Sequence, residues 1–249
     1  MKSIRRTTIV GIVAVVALVG LGAGLALGVN NKVAESVSAP PSAPASAQPT
    51  VLPVPASKKV VLIGDYTAES EVGGSGPRNW TALVGLALQT NQPTQVVRDN
   101  AEGSGYVAAG AYNQTYLDAV KVLVKSDTSA VVIFGSRFDM YAAPDAVRSA
   151  ATETYGVVRE AAPDAVLVVV GPVWPGAAAP LELLRTRDMV RDASTEAGAV
   201  FIDPIEQGWF ADDPGKLMAP DNIHPSDAGH ERIALAIYQA TLQALEPQA

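Results

Sequence analysis

Two histidines, His224 and His230, supply every imidazole in a chain of 249 residues that contains no cysteine. Thiolate nucleophiles, disulfides, iron–sulfur clusters and cysteine-ligated zinc are thereby excluded, and so is a histidine-rich metal site. Chemistry that needs an imidazole base must use one of these two. His224 stands in Asp221-Asn222-Ile223-His224-Pro225. A carboxylate three residues ahead can accept the Nδ1 proton and leave Nε2 free as a base, with Pro225 suited to the first position of a following helix. The same spacing also serves a histidine that only caps or bonds a helix start, so the pair is half of a catalytic constellation. His230, six residues on and inside that helix, reads as a surface or packing residue. Glu206, Asp212 and Asp213 read as solvated loop charge rather than as metal ligands or a glycosidase carboxyl pair.

The elements that must position these groups follow from hydrophobic period. After Lys59 the chain alternates short β-branched runs with longer amphipathic stretches, the pattern of parallel strands joined by helical crossovers. Strands are predicted at Val60–Ile63, Gln95–Arg98, Val131–Phe134, Val166–Val170 and Val200–Ile202. Helices are predicted at Trp80–Leu88, Tyr116–Val124, Ala146–Ala161, Leu181–Glu196 and Ser226–Leu245. Several strands are apolar on both faces, as a sheet covered on each side requires. The expectation is an α/β protein, a three-layer α/β/α sandwich around a five-stranded parallel sheet. Ligands of such sheets bind beyond the carboxyl ends of the strands. The polar clusters lie there: Gly64–Ser70, Asp99–Tyr106, Gly135–Asp139, Gly171–Trp174 and Asp221–His230. The aromatic residues Tyr106, Trp174, Trp209 and Phe210 fall on the same loops, partly as packing residues and partly as candidate walls of a groove for a sugar or an acyl chain.

Ahead of this domain, Lys2, Arg5 and Arg6 precede an uncharged apolar run from Ile9 to Val29. Its length exceeds the roughly 7–15 residues of a signal-peptide core and suits one bilayer-spanning helix with the basic flank cytoplasmic. A cleaved signal is the alternative, and either one exports the downstream domain. Residues 30–57, rich in alanine, serine and proline, read as a semi-extended tether. The expected organisation is thus 1–29 anchor, 30–57 linker and 58–249 globular domain, at the cell membrane and facing outward. The first 57 residues hold four bases and one acid, so the rest holds 14 bases and 24 acids, a net of −10. Such a domain repels phosphate backbones and is not expected to bind nucleic acid.

Taken together, the loops resemble a family. Gly64-Asp65, the glycine-bearing second loop, Gly135-Ser136-Arg137-Phe138-Asp139 and the Asp221–His230 segment, in that order, look like the blocks of the SGNH (GDSL-type) hydrolases from about Lys59 to Leu245. Gly73-Gly74-Ser75-Gly76-Pro77-Arg78-Asn79-Trp80, Asp203-Pro204 and Gly208-Trp209-Phe210 resemble an exported actinobacterial-type branch of it. The resemblance implies acyl transfer to water without a cofactor. A serine in a G-D-S turn is the nucleophile and the D-x-x-H histidine takes its proton. The serine N–H, a second-loop glycine and an asparagine hold the oxyanion. On that pattern His224 matches the base, Asp221 its orienting carboxylate and Gly105 the oxyanion glycine. Asp65 matches a turn-stabilising carboxylate, and Arg137, Phe138 and Trp174 are expected to line the cleft.

Two positions depart from the pattern. Tyr66 follows Gly64-Asp65 where the family has serine, and Phe138 stands where the branch has a side-chain amide. Thr67 and Ser70 are the nearest aliphatic hydroxyls, but one residue of shift along a tight turn moves a side chain by more than ~3 Å. Tyr66 is expected to fill the former nucleophile pocket and bond His224. The implied function is an ester hydrolase-like protein acting on O-acyl or lipid esters of the cell envelope, with activity degraded by the loss of serine. The alternative is an inactive domain of the same fold that binds an envelope glycan, lipid or protein. A nucleotide-binding flavodoxin-like domain is disfavoured, because no phosphate-cradling glycine loop follows the first strand.

Overall fold

The computed structural model describes residues 57–68, 70–176 and 178–246. The apolar run read as an anchor and the tether up to residue 56 lie outside the described residues. Among the described residues no helix is long and apolar enough to cross a membrane.

Five strands form one parallel sheet: β1 (Lys58–Gly64), β2 (Thr94–Arg98), β3 (Thr128–Phe134), β4 (Val166–Val170) and β5 (Val200–Ile202), in the order β2-β1-β3-β4-β5. Alternation along the strands divides the core. Val60, Leu62, Val132, Phe134, Val168 and Val170 face one side, packed by Trp80, Val84 and Leu88 of α1 (Trp80–Gln89) and by Ile233 and Ile237 of α6 (Asp227–Leu245). Val61, Ile63, Val131, Ile133, Leu167 and Val169 face the other, under α2 (Tyr116–Leu123), α3 (Pro144–Ala161) and α4 (Leu181–Glu196). Both faces are buried, which is why these strands read as continuous apolar runs. The three-layer α/β/α expectation therefore holds. A one-turn helix, α5 (Pro214–Leu217), lies in the loop after β5 and was too short to predict.

Helix starts are set by side chains that satisfy the first free N–H groups. Asn79 accepts from Thr81 N at α1, and Thr115 and Asp118 form a reciprocal capping box at α2. At α6 the cap is Ser226, whose Oγ accepts from Gly229 N. Pro225 therefore lies before the cap and not at the first helical position expected from the sequence.

In this strand order β2 is added on one side of β1 and β3 to β5 on the other, so the winding reverses between β1 and β3 and a crevice opens beyond their carboxyl ends. The loops after β1, β2 and β3 and the segment before α6 converge there.

Candidate active site

The Asp221–His224 turn is built locally. One carboxylate oxygen of Asp221 accepts from the backbone N–H groups of Ile223 and His224, at 2.9 and 3.0 Å, and the other lies 2.7 Å from His224 Nδ1. These bonds from His224 and from the backbone hold the Asp221 carboxyl down at about 2. A carboxylate so held fixes the ring and directs Nε2 away from it. The group facing Nε2 is the carboxylate of Glu102, at 3.7 Å, too far for a hydrogen bond. Among the described residues no hydroxyl lies within hydrogen-bonding distance of that nitrogen.

Beside it is a cavity of about 280 Å³ whose walls include Asp65, Tyr66, Ser70, Glu102, Gly103, Arg137, Phe138, Ile223, His224 and His230. Residues from the β1, β2 and β3 loops and from the α6 approach thus meet in one place, with Asp221 immediately behind His224.

Tyr66 occupies the position after Asp65 with φ of 59°, a left-handed conformation that is uncommon for a bulky residue. Its ring packs edge-on against Phe134 and His224, with centroids 6.1 and 6.5 Å apart. The phenol donates to the carbonyl of Ile223 at 3.3 Å and not to His224, as the sequence had suggested. The ring forms part of the cavity wall, and its polar end is tied to backbone. Burial, reinforced by the Asp65 carboxyl, pushes its ionisation above the usual phenol range, the wrong direction for a nucleophile.

The other hydroxyls divide. Thr67 is buried and donates to Gly64 O at 3.0 Å, so it does not reach the cavity. Ser70 lines the cavity, and its Oγ accepts from Val72 N at 3.3 Å.

Asp65, 5% exposed, sits where β1 and β3 part. It accepts from Arg137 N at 3.3 Å and from the Tyr116 hydroxyl at 3.4 Å. Burial outweighs these bonds and raises its carboxyl to about 8. It joins the first loop to the third, consistent with a turn-holding carboxylate.

Gly105 is placed differently from its expected role. Its N–H donates to Ala108 O at 2.8 Å, and it is absent from the cavity wall. A Cβ there would run into the Asp139 carboxylate, which accepts from the N–H groups of Tyr106, Val107 and Ala108. Gly105 is therefore needed for close approach, and its N–H is already engaged. Gly103 is the second-loop glycine that reaches the cavity, and among the described residues its N–H has no acceptor. Spacing could not distinguish the two, because the choice depends on Asp139, more than thirty residues away.

Arg137 and Phe138 follow Ser136, whose Oγ accepts from Phe138 N and starts the short 3₁₀ turn Arg137–Tyr141. Both line the cavity. Trp174 does not; it lies in an adjoining depression, on the far side of Arg137 and Phe138. Tyr106, Trp209 and Phe210 are buried packing residues. His230 is buried as well: Nδ1 accepts from Trp80 N at 3.2 Å, and burial lowers its ionisation to about 4, so the ring is neutral near neutrality. Glu102, Gly103 and Ile223 were not singled out from the sequence. Only their place between glycine-rich and histidine-bearing turns could have flagged them.

The match to a known family spans this whole assembly. The model of the GDSL-like Lipase/Acylhydrolase family matches residues 62–232. The chain is 38% identical over 180 residues to the protein named GDSL lipase Rv0518 of Mycobacterium tuberculosis (strain ATCC 25618 / H37Rv), covering 70% of this chain and 78% of that one. Among solved structures it resembles TesA, with a TM-score of 0.60 at 18% identity over 76% of this chain and all (100%) of that one. It also resembles a lipase/acylhydrolase from Enterococcus faecalis, with a TM-score of 0.58 at 15% identity over 77% of this chain and 99% of that one. At these identities the structures speak to fold alone, while the family model and the mycobacterial relative speak to descent. The chain belongs to the GDSL-like lipase/acylhydrolase family.

Proposed function

We propose that this chain is a membrane-tethered, extracytoplasmic SGNH-type domain of the exported branch. Its cleft receives an ester of the cell envelope, and its hydrolysis is weak because the residue after Gly64-Asp65 carries no serine hydroxyl. One observation carries the reading. His224 and Asp221 keep the geometry of a base and its orienting carboxylate, yet no hydroxyl of the described residues stands at Nε2. What remains of the chemistry is removal of a proton from water by His224, with the Gly103 N–H as an oxyanion donor. The covalent acyl-enzyme route needs a nucleophile that this turn lacks. Phe138 in place of an amide removes a second donor, and losing one such donor typically costs a factor of 10²–10³ in rate. The apolar run Ile9–Val29 and its basic flank support the tether and the outward orientation. The mycobacterial relative's name supports an ester as the ligand class.

A second reading, an inactive domain that binds an envelope glycan, lipid or protein, is favoured by the Tyr66–Ile223 bond, which pins a ring across the nucleophile position.

Hydrolysis of p-nitrophenyl acetate separates the two. The full chain is compared with His224→Ala and with a variant bearing a serine inserted between Asp65 and Tyr66. Slow turnover that His224→Ala abolishes is the expected result. Turnover seen only after insertion would instead establish the binding reading. Fluorophosphonate labelling of the native chain at Ser70 would refute both, because it would reveal a seryl nucleophile.

A further inference from the structure

A second depression, of about 220 Å³, adjoins the His224 cavity and is lined by Arg137, Phe138, Met140, Tyr141 and Trp174. Arg137 and Phe138 are the wall shared by the two. Its aromatic side chains reach the surface. Tyr141 is 82% exposed, and Trp174 is half-buried. The chain's other tryptophans are packed away, Trp80 at 0% and Trp209 at 2% exposed. An indole and a phenol beside a thioether form an apolar floor that is wet on its outer side.

The charged group of this depression is the Arg137 guanidinium. It lies 5.3 Å from the Phe138 ring centroid, stacked and so restricted in direction. Among the described residues no carboxylate stands within ion-pair distance of it; the carboxyl that feels its charge is buried Asp65, on the His224 side of the shared wall. A stacked guanidinium with no ion pair keeps its planar fork of donors available, a geometry that suits a carboxylate.

We infer that this depression is a subsite for an acidic sugar ring, a hexuronate-like pyranose, with its carboxylate on Arg137 and one face of the ring on Trp174. A sugar fits better than an alkyl chain. Bound here, an alkyl chain would leave much of its apolar area in water beside Tyr141, whereas a pyranose has one face for an aromatic ring and hydroxyls for solvent. The volume lies below the roughly 300–1,000 Å³ of pockets that enclose drug-sized ligands and suits a single ring. The domain's net negative charge opposes an anion at long range. Physiological salt screens that repulsion beyond about 8 Å, so contact with Arg137 decides binding. The subsite rests on the proposed function in one respect: the sugar would be the alcohol half of an ester whose acyl end lies in the His224 cavity.

The test uses the tryptophans as reporters. Since Trp80 and Trp209 are buried, acrylamide quenching of emission reads mainly Trp174. Trigalacturonate is titrated into the full chain beside maltotriose, which has the same number of rings without carboxylates, and beside decanoate and inorganic phosphate. The expected result is saturable protection of Trp174 by trigalacturonate at millimolar concentration, at least tenfold weaker with maltotriose and absent with phosphate. Arg137→Met should weaken it at least tenfold, and the surface variant Arg148→Ala should leave it unchanged. Calorimetry of Trp174→Ala, folded by circular dichroism, should show binding lost. Equal protection by maltotriose, protection by decanoate alone, unchanged binding in Arg137→Met, or no saturable change would each overturn the subsite. The readout does not involve ester turnover, so a failed hydrolysis assay leaves this result standing, and the converse also holds.

Discussion

The phenol of Tyr66 donates to the carbonyl of Ile223, the residue immediately before His224, and so ties the turn after β1 to the turn that carries the base across 157 positions of sequence. Both residues line the cavity beside His224.

Removing only the hydroxyl tests the tie. Tyr66→Phe keeps the ring against Phe134 and leaves the Ile223 carbonyl without its donor, at a cost of about 0.5–1.5 kcal/mol. Thermal unfolding should shift downward accordingly. The 221–224 turn should become more accessible to amide exchange, while protection of the sheet amides stays unchanged.

The missing donor can be restored separately from the missing nucleophile. In the serine-inserted variant, adding Phe138→Asn should raise kcat for p-nitrophenyl acetate by about 10²–10³ with little change in KM. An oxyanion contact acts in the transition state rather than on the ground-state ester. A change confined to KM would place residue 138 in substrate binding instead.

Asp65 makes stability fall as pH rises. Its carboxyl is raised to about 8 in the folded chain by burial, against a usual value near 4 unfolded, so between those values the native state holds a proton that the unfolded state has lost. Stability from this group is full below about pH 4 and declines through pH 8. His230, lowered to about 4, acts oppositely and only below about pH 6.5. Denaturant midpoints compared at pH 6.5 and 8 should fall for the native chain, and Asp65→Asn should flatten that slope. An unchanged slope would disprove the assignment.

Gly74 and His230 form a close pair that holds the first loop against α6. Gly74 has φ of 71°, and a Cβ there would overlap the His230 ring. The same loop is fastened by Gly74 N donating to Asp227 and by the Arg78–Asp227 ion pair at 2.9 Å. Gly74→Ala should destabilise by at least about 1 kcal/mol from the backbone conformation alone, with the overlap added. In a double-mutant cycle His230→Ala should recover the overlap but not the backbone cost, giving a coupling of roughly 0.5–3 kcal/mol. Strict additivity would show that the ring yields without strain.

How much of the molecule is legible in its sequence differs between elements. β4, β5 and α4 fall at the residues read from hydrophobic period, and the other strands and long helices differ by one to three residues at one end or, for β1, at both. Period is a local property that every residue of an element reports together, so the sheet and its coverage can be read without coordinates. The Asp221–His224 couple is legible for the same reason, since both partners lie within one turn.

What only the tertiary structure decided is the direction of groups on the loops. Gly105 and Gly103 look equivalent in sequence, but the Asp139 carboxylate, arriving from the loop after β3, gathers the backbone beyond Gly105 and leaves Gly103 on the cavity. Tyr66 could have reached His224 by type and position, yet the carbonyl of Ile223 lies where its hydroxyl ends. Trp174 sits on the correct edge of the sheet but behind the Arg137–Phe138 wall, in its own depression. Each outcome depends on a partner more than thirty residues away. Short-range spacing carries no information about that partner, because loop backbones have no period and take their conformation from whichever distant group satisfies their hydrogen bonds.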